Sequence, residues 1–127
     1  MGQQQLLLTI LVTIIIGVAT IIAVDTLQQS RIESNRSSVR QDMIMAISDA
    51  RMYYEKPEVM GGGGKSFDGI SIDNIVSIAT SNANGSYAIS GSGSSVTVEG
   101  TGNFDEVALS ATATVQSGDL TISWSEL

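Results

Sequence analysis

The sequence predicts an α+β fold: one long N-terminal α-helix, apolar in its first part and amphipathic in its second, packed against a small antiparallel β-sheet. Three observations carry that expectation. Leu6 to Val24 run without a charge, an amide or a proline. Asp25 to Lys56 keep a helical apolar period among charges, and residues 67–127 break into short alternating runs separated by Gly, Asn and Ser.

The apolar run, LLLTILVTIIIGVATIIAV, makes a helix of about 28 Å, which matches the hydrocarbon thickness of a bilayer. Thr9, Thr13 and Thr20 fit within it because a threonine hydroxyl can bond the carbonyl one turn back and leave no donor bare in lipid. Gly17 weakens a helix in water but lets another helix approach closely in apolar surroundings. A buried core helix is the competing reading, and a chain of 127 residues has no core able to cover an apolar helix on every face.

Composition removes whole classes of chemistry. With no cysteine and no histidine there is no disulfide, thiolate nucleophile, Cys-rich zinc site or His-based triad. The five basic and five acidic groups of residues 1–56 cancel, so the net charge of −7 lies in residues 57–127, where Lys65 stands against eight carboxylates. An acidic outer region repels phosphate backbones, so nucleic acid is not an expected partner.

Met1 to Gln5 lack the basic start of a secretory signal, so the apolar helix is expected to stay as an anchor, apart from a short leader at residues 1–2. Myristoylation would need Ser or Thr at position 6, which is Leu6. Within residues 3–56, the long helix, residues 25–56 carry a stripe of Ile32, Val39, Met43, Ala46, Ile47, Ala50 and Tyr54 at steps of three, four and seven. The charges around them, Asp25, Arg31, Glu33, Arg36, Arg40 and Asp42, read as a solvated face or, in a bundle of identical helices, as pairs between neighbours. Pro57 ends the helix, and Gly61, Gly62, Gly63 and Gly64 make the 57–66 crossover, as a free hinge or a tight turn. Lys65 and Ser66 after the glycines suggest a phosphate loop, but Val59 stands where the motif needs glycine and the segment follows a helix.

Residues 67–127 read as an antiparallel meander built from runs at 67–73, 74–80, 86–90, 95–99, 104–115 and 120–127, the second being either a strand or a helical turn. Leu120, Ile122 and Trp124 repeat with period two, and their apolar face should meet Ile32, Val39, Met43, Ile47 and Tyr54 of the helix. Asp105 with Glu106, and Asp68 with Asp73, lack the spacing of an acid/base pair or a calcium loop. No catalytic residue, cofactor or metal is expected. Asn35 and Asn84 each begin an Asn-x-Ser acceptor pattern.

MGQQQLLL at the start, and KPEVMGGGGKSFDGI at Lys56 to Ile70, resemble the opening and the Gly-rich crossover of short bacterial proteins of the type IV pilin superfamily. The specific part of the resemblance covers residues 1–24 and 56–70. It implies cleavage by a prepilin peptidase between Gly2 and Gln3, methylation of Gln3, and passage from the inner membrane, through a dedicated assembly machinery, into an extracellular helical homopolymer. Its core would be packed through Leu6, Leu7, Ile10, Ile14, Gly17 and Ile21. Leu7 stands where that family usually carries a glutamate, which removes a carboxylate pairing with a neighbour's N-terminus. Arg31, Arg36 and Arg40 follow the apolar run and, by the positive-inside rule alone, would hold the C-terminal part in the cytoplasm; the Gly/Ser/Thr-rich sheet and the resemblance place it outside. The alternative function is a single-pass anchored binding module that does not polymerise.

Overall fold

The computed structural model describes residues 2–127 and has an α+β fold. One helix, α1, runs Gly2–Glu55. Two short 3-10 turns follow at Glu58–Met60 and Ile72–Asn74, then four strands: β1 (Gly85–Ser92), β2 (Ser95–Gly102), β3 (Ala108–Gln116) and β4 (Asp119–Glu126). The chain divides into two compact units, Met1–Glu33 and Ser34–Leu127. The expected leader at residues 1–2 falls partly on Met1, outside the described residues.

In the first unit every large apolar side chain from Leu6 to Leu27 is exposed, from 49% at Ile10 to 65% at Leu7. The threonine hydroxyls close onto their own helix: Thr9 donates to Gln5 O, Thr13 to Thr9 O and Thr20 to Ile16 O, each at 2.8 Å. Ile32, at the end of this unit, is buried.

The second unit lays the last part of α1 across the sheet. All strand pairs are antiparallel in the order β1-β2-β3-β4, with consecutive strands as neighbours. Period two sorts the sheet into faces. Val96 and Val98 of β2, Leu109, Ala111 and Ala113 of β3, and Tyr87 of β1 are buried on one face. Ser95 and Thr97 meet Thr114 and Thr112 through hydroxyl hydrogen bonds on the other. Val39, Met43, Ala46, Ile47 and Ala50 of α1 are buried with the apolar face. Gly100 lies under the helix, where a Cβ would come within 2.8 Å of Val39 and Met43. Phe67 and Val107 complete the core, both fully buried.

The meander starts later than the sequence suggests. No strand forms over 67–80; Phe67, Ile70, Ile75 and Ile78 are buried there at steps of three and five, a spacing no strand can supply. The backbone of this segment finds other partners: Ser71 N–H and Asn74 Oδ1 form half of a capping box, and the Asp49 carboxylate accepts from Val76 N–H at 3.0 Å and Ser77 N–H at 2.6 Å. Likewise 104–107 is a turn, closed by Val107 N–H to Phe104 O at 2.9 Å, and β3 begins only at Ala108.

The glycine crossover is a tight cap. The last carbonyls of a helix have no partner within it, and here the crossover supplies them: Gly63 N–H donates to Tyr53 O at 2.8 Å, Lys65 N–H to Tyr54 O at 2.7 Å and Gly64 N–H to Lys56 O at 2.9 Å. A Cβ on Gly62 would sit 2.2 Å from Lys56 O, and one on Gly63 would sit 1.9 Å from Ser66 O and 2.8 Å from the Tyr53 ring. Gly61 has φ +86° but open space around it. Gly62→Ala and Gly63→Ala are therefore expected to cost about 1–3 kcal/mol through forced backbone shifts, against about 1 kcal/mol for Gly61→Ala, which meets only the left-handed penalty. Urea unfolding followed through the single tryptophan, Trp124, measures the order.

Candidate functional site

The most elaborate polar construction in the second unit is built on Asp42, a carboxylate 7% exposed among Val39, Met43 and Ala46. One oxygen, Oδ2, accepts from Tyr87 Oη at 2.5 Å, Asn84 Nδ2 at 2.8 Å and Asn82 Nδ2 at 3.0 Å. Asn82 Oδ1 in turn accepts from Asn84 N–H and Gly85 N–H, so the loop is bent around its own amide before it meets the helix. Asn35, two turns earlier, donates to Asn84 O and accepts from Asn103 N–H, both at 2.9 Å. Burial pushes the Asp42 pKa upward, and the hydrogen bonds from Asn84, Tyr87 and Asn82 outweigh it, leaving the group below the ordinary carboxylate value. The Tyr87 phenol is shifted upward, by burial first and by its bond to Asp42 second.

Three donors converging on one buried anion hold parts together; the arrangement leaves no room at Oδ2 for a substrate. The amide nitrogens of Asn35 and Asn84, the first residues of the two Asn-x-Ser patterns, are both engaged in it. The solvated-face reading of Asp42 is corrected here. The signal was in the spacing: Asp42 lies three residues after Val39 and four before Ala46, on the apolar stripe itself.

A second row of contacts runs along β4. Arg36 reaches Glu126 at 3.4 Å and Glu106 O at 3.2 Å, the Arg40 guanidinium lies 5.2 Å from the Trp124 ring centre, and Arg51 donates to Gly118 O at 3.4 Å. Leu120, Ile122 and Trp124 are only half-buried, although the period-two pattern places them on the core face. The core is centred instead on Phe67, Met43, Ile47 and Leu109. Tyr54, expected against the sheet, stacks on Phe67 with ring centres 4.8 Å apart.

The remaining candidates do not gather into a centre. Asp68 Oδ1 accepts from Gly93 N–H at 2.9 Å, a loop contact. Asp105 and Glu106 are exposed in the β2–β3 turn, and among the described residues no three acidic side chains approach as metal ligands. The amides of Gly61 to Gly64 and Lys65, which a phosphate loop would aim at an anion, donate to the carbonyls of Glu58, Pro57, Tyr53, Lys56 and Tyr54. Lys65 ion-pairs with Glu55. One open cleft of about 530 Å³ is lined by Asp49, Met52, Tyr53, Lys56, Asp73 and Val76.

In the first unit, Leu6, Leu7, Ile10, Ile14 and Ile21 are all exposed, and Gly17 has no atom within 4 Å of where a Cβ would stand. They share this exposure with Leu8, Leu11, Ile15, Ile16, Val18 and Ile22, so the apolar surface runs around the whole helix. Gly2 and Gln3 lie in its first turn. This segment is long and apolar enough to cross a membrane, which is compatible with membrane anchoring.

No protein-family model, curated protein or solved structure matches the chain. The order of its elements, an apolar N-terminal helix, an amphipathic continuation and a small antiparallel sheet, is pilin-like.

The Asp42 cluster has a defined pH signature. A carboxylate held below its ordinary value stabilises the fold above about pH 4 and loses that contribution as pH falls through its folded-state value. A phenol held above its ordinary value contributes below about pH 10 and loses it as pH rises further. Asp42→Ala is expected to destabilise the second unit by about 2–4 kcal/mol near neutrality, through buried donors left without an acceptor. Asp42→Asn should flatten the acid limb and Tyr87→Phe the alkaline limb of a plot of urea midpoint against pH.

Proposed function

We propose that the chain is a structural subunit of a type IV pilus-like extracellular filament, held in the inner membrane before assembly and bundled through its N-terminal apolar helices afterwards. The observation that carries the reading is the state of the first unit: an apolar helix exposed around its circumference, with its threonine hydroxyls closed onto its own carbonyls. Such a surface is satisfied equally by lipid and by copies of itself. Moving from one to the other exchanges contacts of similar apolarity, and Gly17 lets backbones approach closely.

Two features of the second unit support the same reading. It is a self-contained helix-on-sheet unit, able to leave the membrane surface without unfolding. Its buried polar atoms hold loops in place instead of converging on a ligand. In this reading a prepilin peptidase cuts between Gly2 and Gln3, Gln3 is methylated, and a dedicated machine drives extrusion. Leu7 then leaves register to shape matching among Leu6, Ile10, Ile14, Gly17 and Ile21.

The alternative, an anchored module that binds a partner without polymerising, draws on the cleft beside Met52 and Val76. Ile14→Lys separates the two. A lysine at a helix centre costs about 3 kcal/mol in a membrane, which so long an apolar run tolerates, but it places a charge inside a helix bundle. The expected outcome is that long thin fibres sheared from cells carry the wild-type chain, whereas Ile14→Lys stays in the membrane fraction without fibres. Display of the wild-type chain at the surface with nothing released by shear would favour the anchored module.

A further inference from the structure

A four-stranded sheet has two edges, and this one treats them differently. Along β1, Tyr87 N–H donates to Thr80 O at 2.8 Å, Ser81 bridges to Ser86, and Phe67 N–H donates to Gly93 O at 2.7 Å. Phe67 and Ile70 press so closely that a Cβ on Gly91 would stand 2.9 Å from each. The chain closes the first half of that edge itself, over Gly85 to Tyr87, and packs Phe67 and Ile70 beside Gly91. Along β4 no such cover is present among the described residues, and Asp119–Glu126 contains no proline, no lysine and no bulge against β3. Those are the devices that normally blunt an edge.

The hydrogen-bond phase of β4 is set by its end. Leu127 N–H donates to Ala108 O at 2.9 Å, so the odd-numbered residues of β4 point their backbone groups at β3. The N–H and C=O of Leu120, Ile122 and Trp124 therefore point out of the open edge. The same three residues carry the half-buried apolar row, so an arriving strand would find free donors, free acceptors and an unfinished apolar face together. Charge is confined to the ends of the strand, at Asp119 and Glu126, and Arg36 occupies Glu126.

We propose that β4 pairs antiparallel with β4 of a second copy of this chain, about a two-fold axis near Ile122 and normal to the sheet, fusing two four-stranded sheets into one. That axis keeps both apolar faces on the same side. It sets Ile122 against Ile122 of the second copy, Leu120 against Trp124, and Thr121 against Ser123. The three outward-facing pairs supply on the order of six backbone hydrogen bonds. Asp119 falls opposite Ser125, so no two carboxylates oppose each other directly. Centring the axis on Ser123 would set Leu120 against Glu126 instead, which leaves an apolar group facing a charge. A head-to-tail chain of β4 on β1 would find only the short stretch from Ile89 to Gly91, because Thr80 and Ser81 already occupy the start of β1. The contact is closed and self-complementary, so it joins chains in twos and cannot by itself propagate a fibre. It is independent of helix bundling and stands whether or not the filament reading does.

The chain has no cysteine, so one introduced thiol reports the pairing. Opposed residues in an antiparallel hydrogen-bonded pair have Cα atoms about 5.5 Å apart, within disulfide reach. The full chain in detergent, carrying Ile122→Cys, should give a disulfide-linked dimer under mild oxidation. Leu120→Cys and Ser90→Cys should give at least ten-fold less, the first because Leu120 of the second copy is four residues out of register and the second because β1 takes no part in the pairing. Ile122→Pro removes an outward donor and part of a half-buried side chain but leaves the β3 ladder its hydrogen bonds; it should keep its far-UV circular dichroism and lose the non-covalent dimer in sedimentation. Ser123→Pro strikes the β3 ladder and should lower the unfolding midpoint. A folded Ile122→Cys chain that stays uncrosslinked, equal crosslinking at 120 and 122, or a dimer untouched by Ile122→Pro would each overturn the proposal. A dimer held only by the apolar helices gives the first or the last of these results.

Discussion

One buried negative charge organises the second unit. Asp42 lies on the face of α1 that is otherwise Val39, Met43, Ala46 and Ile47, where an unpaired carboxylate would be among the most costly groups a small core could hold. It is tolerated because Asn82, Asn84 and Tyr87 all bring donors to a single oxygen. The requirement then runs outward. To deliver two amides from one short loop, 80–85 must turn back on itself, and Asn82 Oδ1 takes the amides of Asn84 and Gly85 to do so. The returning loop lies along β1, where Thr80 O receives Tyr87 N–H. The charge on the helix thus also shields the start of one edge of the sheet, and β4, which no loop reaches in this way, stays open.

The other fixed point is the C-terminus of α1. A helix that ends against its own domain must find partners for its last carbonyls, and the run Gly61 to Lys65 finds them by folding back over the last turn. Only glycine allows it at 62 and 63, where backbone oxygen stands within 2.2 Å of the missing Cβ. The cap sends the chain back toward the sheet, so that Phe67 enters the core beside Tyr54 and the irregular 67–80 segment can cover the helix–sheet seam. Between Asp42 and this cap, both the approach to the sheet and the start of its first edge are held by contacts that α1 makes with loops.

These priorities explain what could be read from the residues. The apolar run, the helical stripe and the period-two rows of β2, β3 and β4 are repeating patterns, and repetition is what a sequence displays; the α+β architecture and the meander follow from it. The segment 67–80 does not repeat. Its buried residues are chosen by the shape of a gap, and its backbone is satisfied by Asp49 and Asn74, which a strand pattern cannot anticipate. Asp42 was legible by position, since it falls on the stripe, but not by type, because charge on a helix usually means water. Asn82, Asn84 and Tyr87 look like turn and strand residues until the helix is beside them. Trp124 lies opposite Ala111 on the apolar face, where its period-two position puts it, but on an edge strand it is only half-covered, with the Arg40 guanidinium against its ring.

The two units place opposite demands on the same helix, and the sequence resolves them by changing its polar chemistry along the way. From Leu6 to Val24, the only hydroxyls, Thr9, Thr13 and Thr20, bond inward to the helix's own carbonyls, so no polar side chain is offered to the surroundings and any apolar solvent will do. From Asn35 onward the polar side chains of the buried face, Asn35, Asp42 and Asp49, bond outward to loops that lie far along the chain, so that only one surrounding structure will do. The first half is therefore free to exchange neighbours, and the second is fixed to one. The filament subunit proposed above, passing from lipid into contact with copies of itself with its folded domain intact, would need that division at about the point where the apolar run ends.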